Sequence, residues 1–129
     1  MAQPTEHWKP DPEEHDFPAA ADYLELLLPG EEVARLVAAL KQAATVHKKA
    51  KDLARASRLS LLPADNRHVA KDLQKVKEGA RLSPVLLVRG QLGANVALTI
   101  ADGYHRICAS YLLDENAAIP CRIVDSPRG

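Results

Sequence analysis

Residues 98–111, Leu-Thr-Ile-Ala-Asp-Gly-Tyr-His-Arg-Ile-Cys-Ala-Ser-Tyr, constrain the fold more than any other stretch of the chain. An apolar run ends at Asp102-Gly103, and Tyr104, Ile107, Cys108, Tyr111 and Leu112 then recur at i, i+3, i+4, i+7 and i+8. The first pattern predicts a buried strand and the second a helix with one apolar face. Gly103 lets the backbone turn sharply between them and approach a ligand closely. His105 and Arg106 fall off the apolar face into the first helical turn. Backbone N–H groups there lack intrahelical acceptors and the helix dipole is positive, so an anion would meet donors, a guanidinium and an imidazole together. Two other readings of Asp102 stand beside this one. It can be an ordinary N-cap that accepts from the N–H of Tyr104 or His105, leaving His105 and Arg106 solvated. It can also hold a metal ion that bridges to a phosphate.

The rest of the chain supplies partners for this unit. Pro84 to Arg89 is rich in Leu and Val and predicts a buried strand, Gly90 to Asn95 has turn chemistry, and Val96 to Ala101 returns as the neighbouring strand. Ile119 to Val124 reads as a closing strand and 125–129 as a tail. Asp65 or Asn66 caps a helix that runs through Lys77, with Val69, Leu73 and Val76 inward and Gly79 just past its end. Leu59 to Leu62 is a short strand or extended segment stopped by Pro63. Upstream, Pro18 to Leu28 predicts a short helix ended by Pro29-Gly30. A long helix then runs from Glu31-Glu32 to Ala54, with His47 near its apolar stripe as a packed or half-buried imidazole. Three or four strands with helices between them make an α/β or α+β domain with a small mixed sheet. The expected layout is an acidic, proline-rich arm over 1–18, a helical extension over 19–58 and the α+β domain over 59–129, all in one globular unit.

Length and composition agree with a single folded unit. At 129 residues, 47% of them hydrophobic, the chain can bury roughly two thirds of its unfolded surface. Aromatic residues are few, so Leu, Val, Ile and Ala must make the core. No apolar run approaches the roughly 18 residues of a membrane span, and the N-terminus lacks a basic-then-apolar leader. The expectation is a soluble cytoplasmic protein. Cys108 and Cys121 lack the spacing of a metal site and read as core thiols. The arm has no apolar period, but Trp8, Phe17 and Tyr23 are rings that are costly to leave wet. They are expected to anchor it on the domain or on a second subunit, which allows a homodimer through the N-terminal extension. His7 and His15 lie among carboxylates, which makes them candidate metal ligands beside the reading that they are solvated. The net charge of zero hides a separation: 1–32 holds nine acidic residues and one basic residue, whereas 38–81 holds eleven basic and four acidic ones. A basic middle can meet a polyanion, and an acidic arm can cover it.

Asp102-Gly103-Tyr104-His105-Arg106, followed by Ile-Cys-Ala-Ser-Tyr and preceded by Val76-Lys77-Glu78-Gly79-Ala80-Arg81-Leu82-Ser83-Pro84-Val85-Leu86-Leu87-Val88, resembles the ParB/sulfiredoxin-like superfamily over roughly 59–124. The resemblance implies a helix ending in Gly, a Pro-Val strand, a second strand, a glycine turn into a helix, and a closing strand. It further implies that the turn binds nucleotide phosphates, with Mg²⁺ and ATP or CTP as cofactors. Members of the family hydrolyse CTP, repair sulfinic acids with ATP, or phosphorylate serine, so fold alone does not choose the reaction. Tyr104 stands where sulfiredoxin chemistry needs a cysteine, which argues against that activity.

Two function classes follow. The first is a nucleotide- or phosphate-binding protein that hydrolyses NTP or transfers a phosphoryl group. In it Gly103, Tyr104, His105 and Arg106 hold phosphate, His105 acts as donor or general acid/base, and Asp102 acts as base or Mg²⁺ ligand. The resemblance adds Arg67 and Lys71 as phosphate contacts. The second class is a nucleic-acid-binding module, with Lys48, Lys49, Lys51, Arg55, Lys71 and Lys75 on a DNA backbone.

Overall fold

The structure is a computed structural model that describes residues 7–126; the first six residues of the expected arm and the last three of the expected tail lie outside them. The helices are α1 (Asp16–Leu24), α2 (Gly30–Gln42), α3 (Ala50–Ser57), α4 (Arg67–Lys77) and α5 (Tyr104–Leu113). The strands are β1 (Val46–Lys49), β2 (Val85–Val88), β3 (Thr99–Asp102) and β4 (Ala118–Val124). They form one mixed sheet in the order β1-β4-β2-β3, in which β4 runs parallel to β2 and the other pairs are antiparallel. This is the α+β class that the sequence predicts.

Alternation along β2 sends its side chains to two cores, because successive residues of a strand face opposite sides. Leu86 and Val88 join Phe17, Leu24, Val33, Leu36 and Leu40 of α1 and α2 on one face. Val85 and Leu87 join Leu53 of α3, Ile107 of α5 and Trp8 on the other. The sheet therefore lies between two helical layers. Outside α5, α4 packs through Val69 against Cys108 and Ala109. Both cysteines are free and buried, and burial pushes the Cys121 thiol up to about 11.

The expected long helix from Glu31 to Ala54 is corrected. It stops at Gln42, and Ala43 turns to extended backbone. Two local causes act there. The Arg122 guanidinium from β4 reaches under the helix end, where its Nη1 donates to the carbonyls of Leu40 at 3.2 Å and Lys41 at 2.9 Å, satisfying acceptors that a continuing helix would have used. The β-branched Thr45-Val46 pair then opens β1, which adds to the free edge of β4. His47 consequently sits on an exposed edge strand rather than half-buried on a helix. The short helix also shifts, starting at Asp16 and ending at Leu24 rather than spanning Pro18 to Leu28.

The second predicted strand is shorter than expected. Val96 makes only a bridge to Gln91, and Leu98 donates its N–H to Ala56 of α3 at 3.0 Å, so sheet pairing begins at Thr99. On α5, Leu112 is exposed whereas Ala109 and Ser110 are buried, because α3, α4 and β2 enclose a wider arc of the helix than a single stripe. Residues 59–62 belong to no helix and no strand. No described helix is long and apolar enough to cross a membrane.

Candidate functional site

A polar pocket of about 210 Å³ lies where α4 faces the start of α5. His68, Lys71, Asp72 and Lys75 line it from α4, one turn after another, and Asp102, Gly103, His105 and Arg106 line it from the β3–α5 turn. Positions 68, 71, 72 and 75 share one helix face at i, i+3, i+4 and i+7.

The two helix N-termini differ. On α4, Asn66 is the cap, and its Oδ1 accepts from the N–H of His68 at 3.0 Å and of Val69 at 3.2 Å. Those donors are thus occupied, and Arg67 lies outside the pocket lining. On α5, Gly103 holds the cap position with φ of 109°, and no side chain caps the helix. A Cβ at Gly103 would stand 2.4 Å from Cγ1 of Val85 and 2.9 Å from Nη2 of Arg106, so both the backbone conformation and the space require glycine.

Asp102 is not the N-cap. Its Oδ2 accepts from Nη2 of Arg106 at 3.0 Å, and that nitrogen also donates to the Pro84 carbonyl at 3.3 Å. The pair is mostly buried, with side-chain exposures of 17% for Arg106 and 18% for Asp102, and Nε of Arg106 has no hydrogen-bond partner. Arg106 is therefore oriented by the fold before any ligand arrives. Tyr104 turns away from the pocket lining. Its hydroxyl donates to the Ser60 carbonyl and ties residues 59–62 to α5.

Burial sets the electrostatics. It raises the Asp102 carboxyl above its ordinary value against the attraction of Arg106, and the neighbouring Asp16 carboxyl adds to the rise. It raises Asp72 as well, opposed by Arg106, Lys75, His105 and His68. His105 is lowered by burial first and then by His68, whose ring centroid lies 4.6 Å away, while Asp72 opposes. Burial thus disfavours the His105 imidazolium in a pocket that it shares with Lys71, Lys75 and Arg106.

Sequence reasoning assigned His105, Arg106, Gly103, Asp102 and Lys71 to this pocket. It missed His68 and Asp72 in the lining and Asp16 beside Asp102, and it gave Lys75 only to the nucleic-acid set. The i, i+3, i+4, i+7 spacing of polar residues on α4 was the signal for His68 and Asp72; Asp16 had none, lying far away in the acidic arm. The structure does not bring the nucleic-acid set together: Lys71 and Lys75 line this pocket, Lys48 and Arg55 line a separate groove, and Lys49 and Lys51 line neither. Among the described residues no group of three or more His, Cys, Asp or Glu side chains is arranged to hold a metal ion. Compared with known proteins, the chain matches no family model, no curated protein and no solved structure.

Proposed function

We propose that the chain is a cytoplasmic nucleotide-binding protein of the ParB/sulfiredoxin-like kind, which seats phosphate groups on the uncapped first turn of α5 and hydrolyses NTP or transfers its terminal phosphoryl group. The observation that carries this reading is that turn itself: an N-terminus with no side-chain cap, approached through Gly103, opens on a pocket walled by Lys71 and Lys75. The order helix, glycine, Pro-Val strand, strand, glycine turn, helix, strand supports the family reading.

Within this reading the residues divide the work. Backbone N–H groups of the α5 turn and the ammonium groups of Lys71 and Lys75 hold phosphate oxygens, and Arg106, fixed by Asp102 and Pro84, adds a preset positive charge. His105, neutral because its site disfavours the imidazolium, takes a proton from an attacking water or hydroxyl. The new P–O bond forms as the bridging P–O bond breaks, and the leaving oxygen departs on the nucleotide. Asp72 stabilises the resulting imidazolium. The donor set suits Mg²⁺ only as an ion brought by the phosphates, which lower the charge cost of binding: the Asp102 carboxylate is committed to Arg106, and Asp72 is the pocket's other carboxylate.

Calorimetric titration of ATP, CTP and inorganic phosphate against wild type and Lys71→Ala/Lys75→Ala tests the reading. Both lysines are exposed, so the variant keeps its fold while losing two charge-assisted contacts, worth roughly 1.5–3 kcal/mol each or at least about tenfold in affinity. Equal affinities for the two proteins overturn it. Where turnover is detected, His105→Ala lowers it by about 10²- to 10⁴-fold.

A further inference from the structure

Two exposed features lie on opposite helical layers and are opposite in charge. The first is the turn between α1 and α2. Leu26 is 79% and Leu27 55% exposed, and Asp22, Glu25 and Glu31, close to them in the chain, are exposed as well. The turn is fixed rather than loose: the N–H groups of Leu27 and Leu28 both donate to Leu24 at 2.9 Å, and Leu24 is fully buried. A pair of wet leucines on a hydrogen-bonded turn, with exposed acids before and after it in the chain, is the pattern of a contact surface.

The second is a groove of about 450 Å³ between α3 and the loop after β2. Its floor is Leu53, Leu98 and Ile123, and its rim carries Lys48, Arg55, Arg58 and Arg89. Asp52 and Asp125 answer Arg55 and Arg89, which leaves the rim with an excess of positive charge. The groove is preformed. Leu98 donates to Ala56 across it at 3.0 Å, and Nη1 of Arg58 donates to the Asn95 carbonyl at 3.3 Å. Arg58 and Asn95 are the only non-glycine positions with positive φ among the described residues. Leu92, 92% exposed, extends the apolar surface at its mouth.

We infer that the Leu26-Leu27 turn of one copy docks in this groove on a second copy, its leucines on the apolar floor and its carboxylates against the arginine rim. A chain cannot satisfy its own groove this way, since the turn rises from the α1–α2 layer and the groove belongs to the α3 layer, with the sheet between them. Each copy thus offers one turn and one groove on opposite layers, so the contact is head-to-tail and adds copies in series. The contact uses no residue of the polar pocket.

Sedimentation equilibrium of the full chain over a wide concentration range decides it. Wild type self-associates, and association weakens as salt rises because exposed charges are screened. Leu26→Glu/Leu27→Glu and, separately, Arg55→Glu/Arg58→Glu each lower the association constant by at least about tenfold. All four positions are exposed, so circular dichroism stays at the wild-type spectrum. Mixing the two variants restores association through the one contact that pairs an intact turn with an intact groove. Wild type that stays monomeric throughout, variants that associate as well as wild type, or a mixture that stays monomeric overturns the inference. So does a monomer that binds duplex DNA through Arg55 and Arg58, which assigns the groove to a polyanion.

Discussion

Arg106 has both a structural and a chemical task, and its substitution separates them. Removing the guanidinium leaves the Asp102 carboxylate mostly buried without its partner, beside Asp16. Arg106→Ala is therefore expected to cost about 1–3 kcal/mol in stability, read as a lower midpoint in urea, besides weakening phosphate binding. Arg106→Ala/Asp102→Asn, which removes the orphaned charge, regains most of the stability and none of the binding. A double variant as unstable as the single one would mean that packing rather than charge is at stake. His105 gives a second test. Its folded value lies below the ordinary 6.5, so the stability it contributes is present above that value and is lost as pH falls through the lowered one. A bound anion opposes the lowering, and binding then takes up a proton. Sulfate, which does not titrate in this range, is expected to bind more tightly as pH falls from about 7 towards 5, with the trend flattened in His105→Ala. An affinity that does not respond to pH in wild type would remove His105 from the site.

At the scale of elements, α4 positions half of the pocket, and its cap is the point at which to perturb it. Asn66→Ala frees the N–H groups of His68 and Val69 and is expected to cost about 1 kcal/mol. The added positive end of the helix lies one turn from Lys71, so sulfate affinity should hold or rise. A loss of affinity larger than the loss of stability would show that the Asn66 cap holds His68 in its place in the lining. Elements whose signals are local were legible in the sequence. Asn66 and Gly79 bracket α4, with Gly79 at φ of 84°, and the strand, Asp-Gly and 3.6-residue period around 98–111 gave β3 and α5. The break in the long helix was not legible, because Ala43, Ala44, Ala50, Leu53 and Ala54 continue its apolar period. What ends it is Arg122, about 80 positions later in the chain, together with a strand edge that exists only once β4 is in place. The same limit applied to the site. Gly103, His105 and Arg106 stand in one turn and could be read together, whereas Asp16 reaches Asp102 only because α1 packs on β3.

At the scale of the whole molecule, the charge separation leads to a different arrangement from the one its pattern suggests. The acidic arm does not lie along a long basic helix. Asp11 pairs instead with Arg122 at 3.2 Å, on the residue that also caps α2, and Lys41 stands 5.6 Å over the Phe17 ring. The arm is anchored by its rings as expected at Trp8 and Phe17, while Tyr23 stays exposed. Trp8 is 5% exposed and belongs to the same core as Leu53, Leu87 and Ile107. Its flanking backbone pairs with Leu82 just ahead of β2, where Lys9 N–H donates to the Leu82 carbonyl at 2.7 Å and Leu82 N–H to the His7 carbonyl at 2.8 Å. An arm of this kind is part of the fold rather than a removable cover. Trp8→Ala is expected to cost about 3–5 kcal/mol, a large share of the roughly 5–15 kcal/mol that holds such a domain together, and urea denaturation measures it directly. Deleting residues 1–18 removes Trp8, Phe17 and the buried Asp16 together, so the truncated chain should lose its cooperative transition. A truncated chain that unfolds cooperatively at the wild-type midpoint, and binds polyanions more tightly, would return the arm to the role of a detachable acidic cover.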